Sequence, residues 1–563
     1  MPPRVSWPRG FAVFLALAAA AIWLPTPYAT AQVALPAEPI SVAPAALPVE
    51  PLAAILAEGE RLESLRRWGE ALAHYERALR DYPSNESLQR REDLAKLHFS
   101  LDRRYADRSF LDSIRSLSPQ QASGLYLELL HKINTYYVSP PPWGRLAARG
   151  VTAIDLALLE PSFGSSHGLR LSAEQLAPVR RDLYQLVAQR RVGGPDDLAA
   201  LAAEAARLVE ARCGVQQTAV LLEFVAAAAG GLDEYSAYLT ADQLREVYQQ
   251  IEGNFVGLGV ELKADGGALL IVHVIPGSPA ERAGIVDGDR IVAVDGQPTA
   301  ELSTDEAAAL LSGEEGSYVR VTTINAANLT RVVTVRREHV EVPSLEKVQI
   351  VDADFGIAYI RIPTFQKTTA RDLERALWDL HAQKMRSLIL DLRGNPGGLL
   401  TAAVEVADKF LQEGSIVSTR GRSPQEDSNY TAHYGGTWRV PLVVLIDHDS
   451  ASASEIFAGA ILDNHRGDIV GERSYGKGTV QGIFPLGVGG AGVRLTTAYF
   501  YSPTGRQISH VGVIPTQQVQ VAAKLGSTVS SLTIVDDDPI LRAGIESARR
   551  RVAAPIRTEQ PPR

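Results

Sequence analysis

Between Val443 and Gln481 the chain carries a cluster of small hydroxyls, a lysine between glycines and a glutamine, the parts from which a nucleophile and its base can be assembled. Ser450, Ser452 and Ser454 are each separated by one alanine. They follow an apolar β-branched run, Val443-Val444-Leu445-Ile446, which reads as a buried strand, and they precede Glu455 to Leu462, where apolar residues recur at helical spacing. A serine at such a junction is presented at a helix N-terminus, where backbone N–H groups lack intrahelical acceptors and can hold an oxyanion. A second strand candidate, Asp468-Ile469-Val470, leads into Gly471 and then Gly476-Lys477-Gly478. Lys477 therefore lies in a glycine-flanked turn, which lets backbone approach closely. A serine hydroxyl becomes nucleophilic only beside a base, and lysine can be that base where burial disfavours its charged form. Arginine could not serve, because it does not lose its proton.

Other readings compete for the same residues. Runs of Ser and Ala also allow tight helix packing. Gly471 to Lys477 spells the opening of a phosphate-binding loop, but that loop requires Ser or Thr next for magnesium, and Gly478 stands there. The residues that follow, Thr479 to Phe484, are strand-like rather than helical. His448, between Asp447 and Asp449, suggests a Ser-His-Asp triad; four residues before Ser452, at a strand end, it reads more simply as a loop residue.

SASASEI followed by GKGTVQ closely resembles the carboxyl-terminal processing peptidases, the tail-specific serine proteases of peptidase family S41. The resemblance implies that Ser452 is the nucleophile, that Lys477 is its general base and that Gln481 holds the lysine. It extends to Asp391-Leu392-Arg393-Gly394-Asn395-Pro396-Gly397-Gly398, the family's DLRGNPGG. By that likeness the oxyanion hole comprises the N–H of Gly398, in preference to Gly397, and the N–H of Ala453. No metal or cofactor is implied. Two positions depart from the family pattern: relatives carry glycine near Asp449, and aspartate where Thr516 stands here.

The elements that must position these residues are legible on either side. Phe355 to Ile362 and Ser387 to Leu392 are apolar strand candidates flanking an amphipathic helix, Thr369 to Gln383, a strand-helix-strand ingredient of an α/β core. A helix from Leu399 to Leu411 follows the glycine pair. Val493 to Arg506 and Gly512-Val513-Ile514-Pro515 fit the family's closing strands. Asp536 to Pro539 opens a short helix through Ala548, and Arg549 to Arg563 reads as a loose tail.

Upstream, the pattern from Gly253 is one of short strands. Phe255 to Leu262, Val274 to Gly284 and Gly288 to Gly296 together look like a PDZ domain. Its expected peptide-binding feature is the loop Gly257-Leu258-Gly259-Val260. Backbone N–H groups there would capture a terminal carboxylate while the peptide adds as a strand to a sheet edge, and the glycines let the backbone approach the anion. In the family this domain also gates the protease.

Ser113 to Leu244 is helical by spacing, interrupted at Ser139-Pro140-Pro141-Pro142; Gly231 to Leu239 resembles a short element that precedes the PDZ domain in such peptidases. Ile55 to Pro83 carries the small and aromatic positions of one tetratricopeptide-like repeat (Gly59, Ala71, Tyr75, Ala78, Pro83), a candidate docking module for an adaptor or partner protein. Residues 32–51 are rich in Ala and Pro and read as a linker. Met1 to Ala31 has the form of a secretory signal, with Arg4 and Arg9, an apolar run from Phe11 to Leu24 and Ala29-Thr30-Ala31. Membrane association would follow only if that segment were retained.

The chain has 563 residues, enough for roughly three to four domains. Its net charge of -9 gives no electrostatic case for nucleic acid. Cys213 is its sole cysteine, so no intrachain disulfide is possible and Cys213 is expected to be a small buried apolar residue. The expected architecture is multidomain α+β: signal 1–31, linker 32–51, repeat-like hairpin 52–101, helical region 102–250, β-rich PDZ domain 251–338, α/β serine protease core 339–520, and C-terminal helix and tail 521–563. The expected function is an exported serine endopeptidase, periplasmic or in the cell envelope, that takes protein tails in its PDZ domain. The alternative is a non-catalytic scaffold on a silent protease fold.

Overall fold

The computed structural model describes residues 13–16, 52–265, 268–300, 310–325, 327–433, 435, 437–519 and 538–553. The signal expected over residues 1–31 lies outside these, save for a strand, Val13–Ala16, that pairs antiparallel with Gly398–Leu399. The linker expected over 32–51 lies outside them entirely. The described residues divide into two compact units.

Of the described residues, the first unit holds 52–244 together with Gly482–Thr496, and the strand Val13–Ala16 belongs to the second. Helices Leu52–Ser64 and Trp68–Asp81 form a hairpin whose interlock is steric. A Cβ on Gly59 would stand 2.2 Å from the Tyr75 hydroxyl oxygen, so only glycine admits the fully buried tyrosine ring. That hydroxyl donates to Glu63 at 2.6 Å. Helix Glu86–Ala106 completes this small core with Leu88 and Ala95. A larger helical core surrounds Gln217–Gly230, which is buried on nearly every side and accordingly largely apolar, its buried Glu223 paired with Arg104. Ala237–Leu239 pairs antiparallel with Gly492–Arg494, and Phe484, Leu486, Val493 and Leu495 join the helical core. Cys213, expected to be buried, is a half-buried free thiol at the last residue of helix Pro195–Cys213, where the chain turns outward at Gly214.

In the second unit, strands Val260–Asp265, Ala268–Val274, Arg290–Val294, Tyr318–Ile324 and Thr330–Arg336 form an antiparallel sheet in that order. Leu258, Ile271, Ile291 and Val321 fill its core. Asn254–Gly257 pairs with Glu338–Glu341, which ties the entry of this domain to its exit. A further six-stranded sheet runs Glu346–Asp352, Ile357–Arg361, Ser387–Asp391, Leu442–Ile446, Asp468–Gly471, Gln517–Gln518, with only the first strand antiparallel. Its inner strands are covered on both faces, which is why they read as unbroken apolar runs rather than alternating ones. Helices Thr369–Ala382, Leu400–Asp408 and Ala453–Asp463 pack in series. Helix Pro539–Ala553 lays Ile540, Leu541 and Ile545 on Ile357, Ile389, Val443 and Val470.

Two expectations about the closing region need correction. Gly512–Pro515 is irregular chain, not strand; ladder pairing starts only at Gln517. Gly512 takes a left-handed φ of 68°, and a proline follows three residues later, neither of which suits a sheet interior. The C-terminal helix extends to Ala553, past the expected end at Ala548, because Arg549 and Arg551 are anchored by Asp352 and Asp468. At the other departure from the family pattern, Thr516 makes its own polar contact, donating to Ile469 O at 2.9 Å and accepting Ile469 N–H at 3.0 Å.

The Asp468 carboxyl is held below its ordinary range by hydrogen bonds from the Arg551 guanidinium, which outweigh its partial burial. Its folded pKa is therefore lower than its unfolded one. The stability this pair contributes is present above the unfolded value, about 3.9, and is lost as pH falls through the folded value. Arg551→Met should be less stable than wild type in urea unfolding at pH 7, and the gap should shrink below about pH 4. A gap independent of pH would contradict the assignment.

Candidate active site

Three loops leave the carboxyl ends of three adjacent parallel strands, the usual location of a site in an open α/β sheet. They follow Asp391, Ile446 and Gly471. In the middle loop Asp447 accepts the N–H groups of Gly394, Asp449 and Ser450, which sets the turn. The chain then passes through Ser452 at φ 59° and ψ -111°, a region L-residues seldom occupy, and enters helix Ala453–Asp463. Such strain persists only where the surroundings impose it, at a cost of about 1–3 kcal/mol.

The three serines of this turn have different environments. Ser450 Oγ donates to Leu392 O at 2.8 Å and Ser454 Oγ donates to Asn395 O at 3.0 Å. With Ala451 N–H, also on Asn395 O, they stitch the serine turn to the DLRGNPGG loop. Ser452 is fully buried, and its Oγ has no hydrogen-bond partner among the described residues. It is thus the hydroxyl of the three that architecture leaves unoccupied.

Glu455, one turn into the helix, joins the serine turn to the lysine loop. Its carboxylate is 1% exposed. Oε2 accepts Ser452 N–H and Lys477 N–H, both at 2.8 Å. Oε1 accepts Gly476 N–H at 2.7 Å and the Ser474 hydroxyl at 2.6 Å. Burial pushes this carboxyl up, and the four donors oppose that push. Lys477, 1% exposed, is thereby held by its own backbone beside Ser452. No hydrogen bond joins Ser452 Oγ to the lysine amine in this arrangement. Gln481, expected to hold Lys477, donates its Nε2–H to Thr479 Oγ1 at 2.8 Å instead, and its Oε1 accepts none.

In the loop after Asp391 the glycine pair resolves itself. Gly397 N–H donates to Asn395 Oδ1 at 2.8 Å, so it is not available to an oxyanion. Gly398 has φ 132°, and a Cβ there would stand 2.2 Å from Phe365 O. Ala453 is the first helical residue, in the turn where N–H groups lack intrahelical carbonyls. The base of the loop is an ion-paired cluster. Tyr359 OH and the Arg393 guanidinium both bond Asp391, and Arg393 also reaches Asp538 at the start of the C-terminal helix. His448 is mostly exposed and meets only the surface carboxylates Asp449 and Glu472, outside this arrangement.

In the PDZ loop Leu258 is buried. The carbonyls of Leu258 and Gly259 accept the N–H groups of Ala280 and Ile275. A Cβ on Gly259, whose φ is 83°, would stand 2.3 Å from Ser278 Cβ. Among the described residues no group of His, Cys, Asp and Glu side chains is placed to hold a metal.

Sequence reasoning passed over Glu455, Ser474, Asn395 and the Asp391–Arg393 pair. One of them had a legible signal: Ser452-x-x-Glu455 is the capping-box pattern, with the N3 carboxylate reaching back to the N-cap N–H. Ser474 and Asn395 act on loops distant in sequence, and Arg393, besides its local bond to Asp391, reaches Asp538, so these had none.

The model of peptidase family S41 matches residues 356–519, and a PDZ domain model matches residues 270–325. The carboxy-terminal-processing protease of Bartonella bacilliformis is 38% identical over 291 residues, covering 50% of this chain and 66% of that protein, just under two thirds of its length. The carboxyl-terminal-processing protease of Picosynechococcus sp. is 36% identical over 291 residues, covering 51% of this chain and 70% of that protein. Among solved structures, the photosystem II D1 C-terminal processing protease is 25% identical, with 77% of this chain and 97% of that chain covered at a TM-score of 0.37. On the identity and coverage shared with the Picosynechococcus protein, and with the two family-model matches, the chain belongs to the carboxyl-terminal processing peptidases of family S41.

Proposed function

We propose that this chain is an exported serine endopeptidase that takes the C-terminal tail of a protein at the Gly257–Val260 loop and hydrolyses a peptide bond with a Ser452–Lys477 dyad. The observation that carries the reading is the division of labour in the serine turn: Ser450 and Ser454 are bonded to the neighbouring loop, while Ser452, strained and buried, has an unoccupied Oγ. Ser452 Oγ attacks the carbonyl carbon. Lys477 Nζ takes its proton and returns it to the leaving amine, and water then hydrolyses the acyl-enzyme. The N–H groups of Gly398 and Ala453 stabilise the tetrahedral oxyanion, each by about 3 kcal/mol. Gln481 supports the lysine loop, and the dyad hydrogen bond forms when the loops tighten around substrate, as catalytic hydrogen bonds often do. The leader over residues 1–31 directs export. The hairpin over 52–101 docks a partner. Among the described residues no helix is long and apolar enough to cross a membrane.

Turnover of β-casein tests the dyad against a silent scaffold. Ser452→Ala and Lys477→Ala should each reduce kcat at least ~10³-fold, within the range lost when a catalytic group is removed. Equal turnover in wild type and both variants would leave only the scaffold. Ser454→Ala removes a bond to the loop, not the nucleophile; it should lower stability by about 1 kcal/mol in urea unfolding while a serine-directed phosphonate still labels Ser452. Amidating a substrate's C-terminal carboxylate should slow cleavage several-fold through KM, and an unchanged KM would count against tail capture by the PDZ loop.

A further inference from the structure

The lysine loop is held from two sides, and the two supports meet in one hydroxyl. Ser474 is buried three residues before Lys477. Its Oγ donates to Glu455 Oε1 and accepts Val513 N–H, both at 2.6 Å. Its own N–H donates to Val513 O at 3.1 Å. Because the N–H of Val513 occupies an acceptor site on Oγ, the hydroxyl proton is left to point at the carboxylate. The fit is close: a Cβ on Gly512 would stand 2.6 Å from Ser474 O and 2.9 Å from its Oγ. The irregular segment Gly512–Pro515 thus acts as a backstop for Ser474.

The consequence follows from the carboxylate's geometry. Glu455 has two oxygens and four donors. Ser474 and Gly476 take Oε1, so the carboxylate plane is set and Oε2 faces the N–H groups of Ser452 and Lys477. We propose that Ser474 is a positioning residue for catalysis: acting through Glu455, it fixes the backbone of Lys477 relative to that of Ser452. The proposal rests on the serine–lysine reading above. Without the hydroxyl, the buried carboxylate loses one of its four donors and rotates more freely. The two backbones then sample separations at which the dyad hydrogen bond does not form. Ser474 and Glu455 are buried, so the effect is expected on the chemical step and not on substrate binding.

The test is steady-state kinetics on β-casein with the full chain and its Ser474→Ala and Ser474→Cys variants, beside Ser452→Ala and Lys477→Ala. For Ser474→Ala, kcat should fall about 10- to 100-fold, the size of one lost hydrogen bond to a charged group, with KM within about twofold of wild type. Labelling of Ser452 by the phosphonate should slow in parallel. Ser474→Cys, which keeps a weak donor of similar size, should recover part of the loss; if the alanine variant does not fold, the cysteine variant should still show reduced kcat at unchanged KM. A folded variant with wild-type kcat overturns the proposal while leaving the dyad intact. A loss that vanishes at lower temperature, where the variant is fully folded, also overturns it, because that marks a role in stability alone. An active Ser452→Ala enzyme instead overturns the dyad itself.

Discussion

The site depends on a single buried carboxylate. Glu455 lies where an ionised acid is costly to desolvate, and it is tolerable there because four donors converge on its two oxygens. Those donors come from the residue that opens the helix and from three residues of a loop some twenty positions further on. One side chain therefore does what neither the strand ends nor the helix could do alone: it joins the backbone of Ser452 to the backbone of Lys477. Each of the four donors offsets part of the cost of burying that charge, so each also helps to hold the two backbones in place.

Around this clamp the core supplies rigidity. The parallel strands end in register, so their three loops emerge side by side, and each loop is bonded to its neighbour. Ser450, Ser454 and Ala451 tie the serine turn to the glycine loop. Arg393 ties the glycine loop to Asp391 and to the cap of the C-terminal helix. A strained residue such as Ser452 is stable only within so over-determined a frame. The glycines belong to the same logic: at Gly398 a side chain would meet the backbone of Phe365, which would push the loop off the sheet.

The repeat-like hairpin and the PDZ domain carry their own cores, separate from that of the protease sheet. Gly59 against Tyr75 and Gly259 against Ser278 are local steric fits of the same kind, a missing Cβ that admits a neighbour. The PDZ strands enter and leave beside one another through a short antiparallel pair, Asn254–Gly257 with Glu338–Glu341.

Much of this was legible in the chain itself. Apolar β-branched runs announced the buried strands, because a strand covered on both faces has no polar side to show. Periodicity announced the helices, and SASAS and GKG marked the turn and the glycine-flanked loop whose backbones Glu455 joins. Local sequence settles such features because each depends on residues within a few positions of one another. What it left open was decided by contacts between distant segments. Three serines two residues apart look alike in sequence; only the fold gives Ser450 and Ser454 partners and leaves Ser452 without one. Between Gly397 and Gly398 the family likeness stated a preference, and the physical reason for it comes only with the fold, where Asn395 takes the N–H of the first. Gln481 turned toward Thr479, Gly512–Pro515 became a backstop instead of a strand, and Glu455 emerged as the junction of two loops. Hydrogen bonds have direction, and which donors meet which acceptors is determined only once the chain has closed on itself.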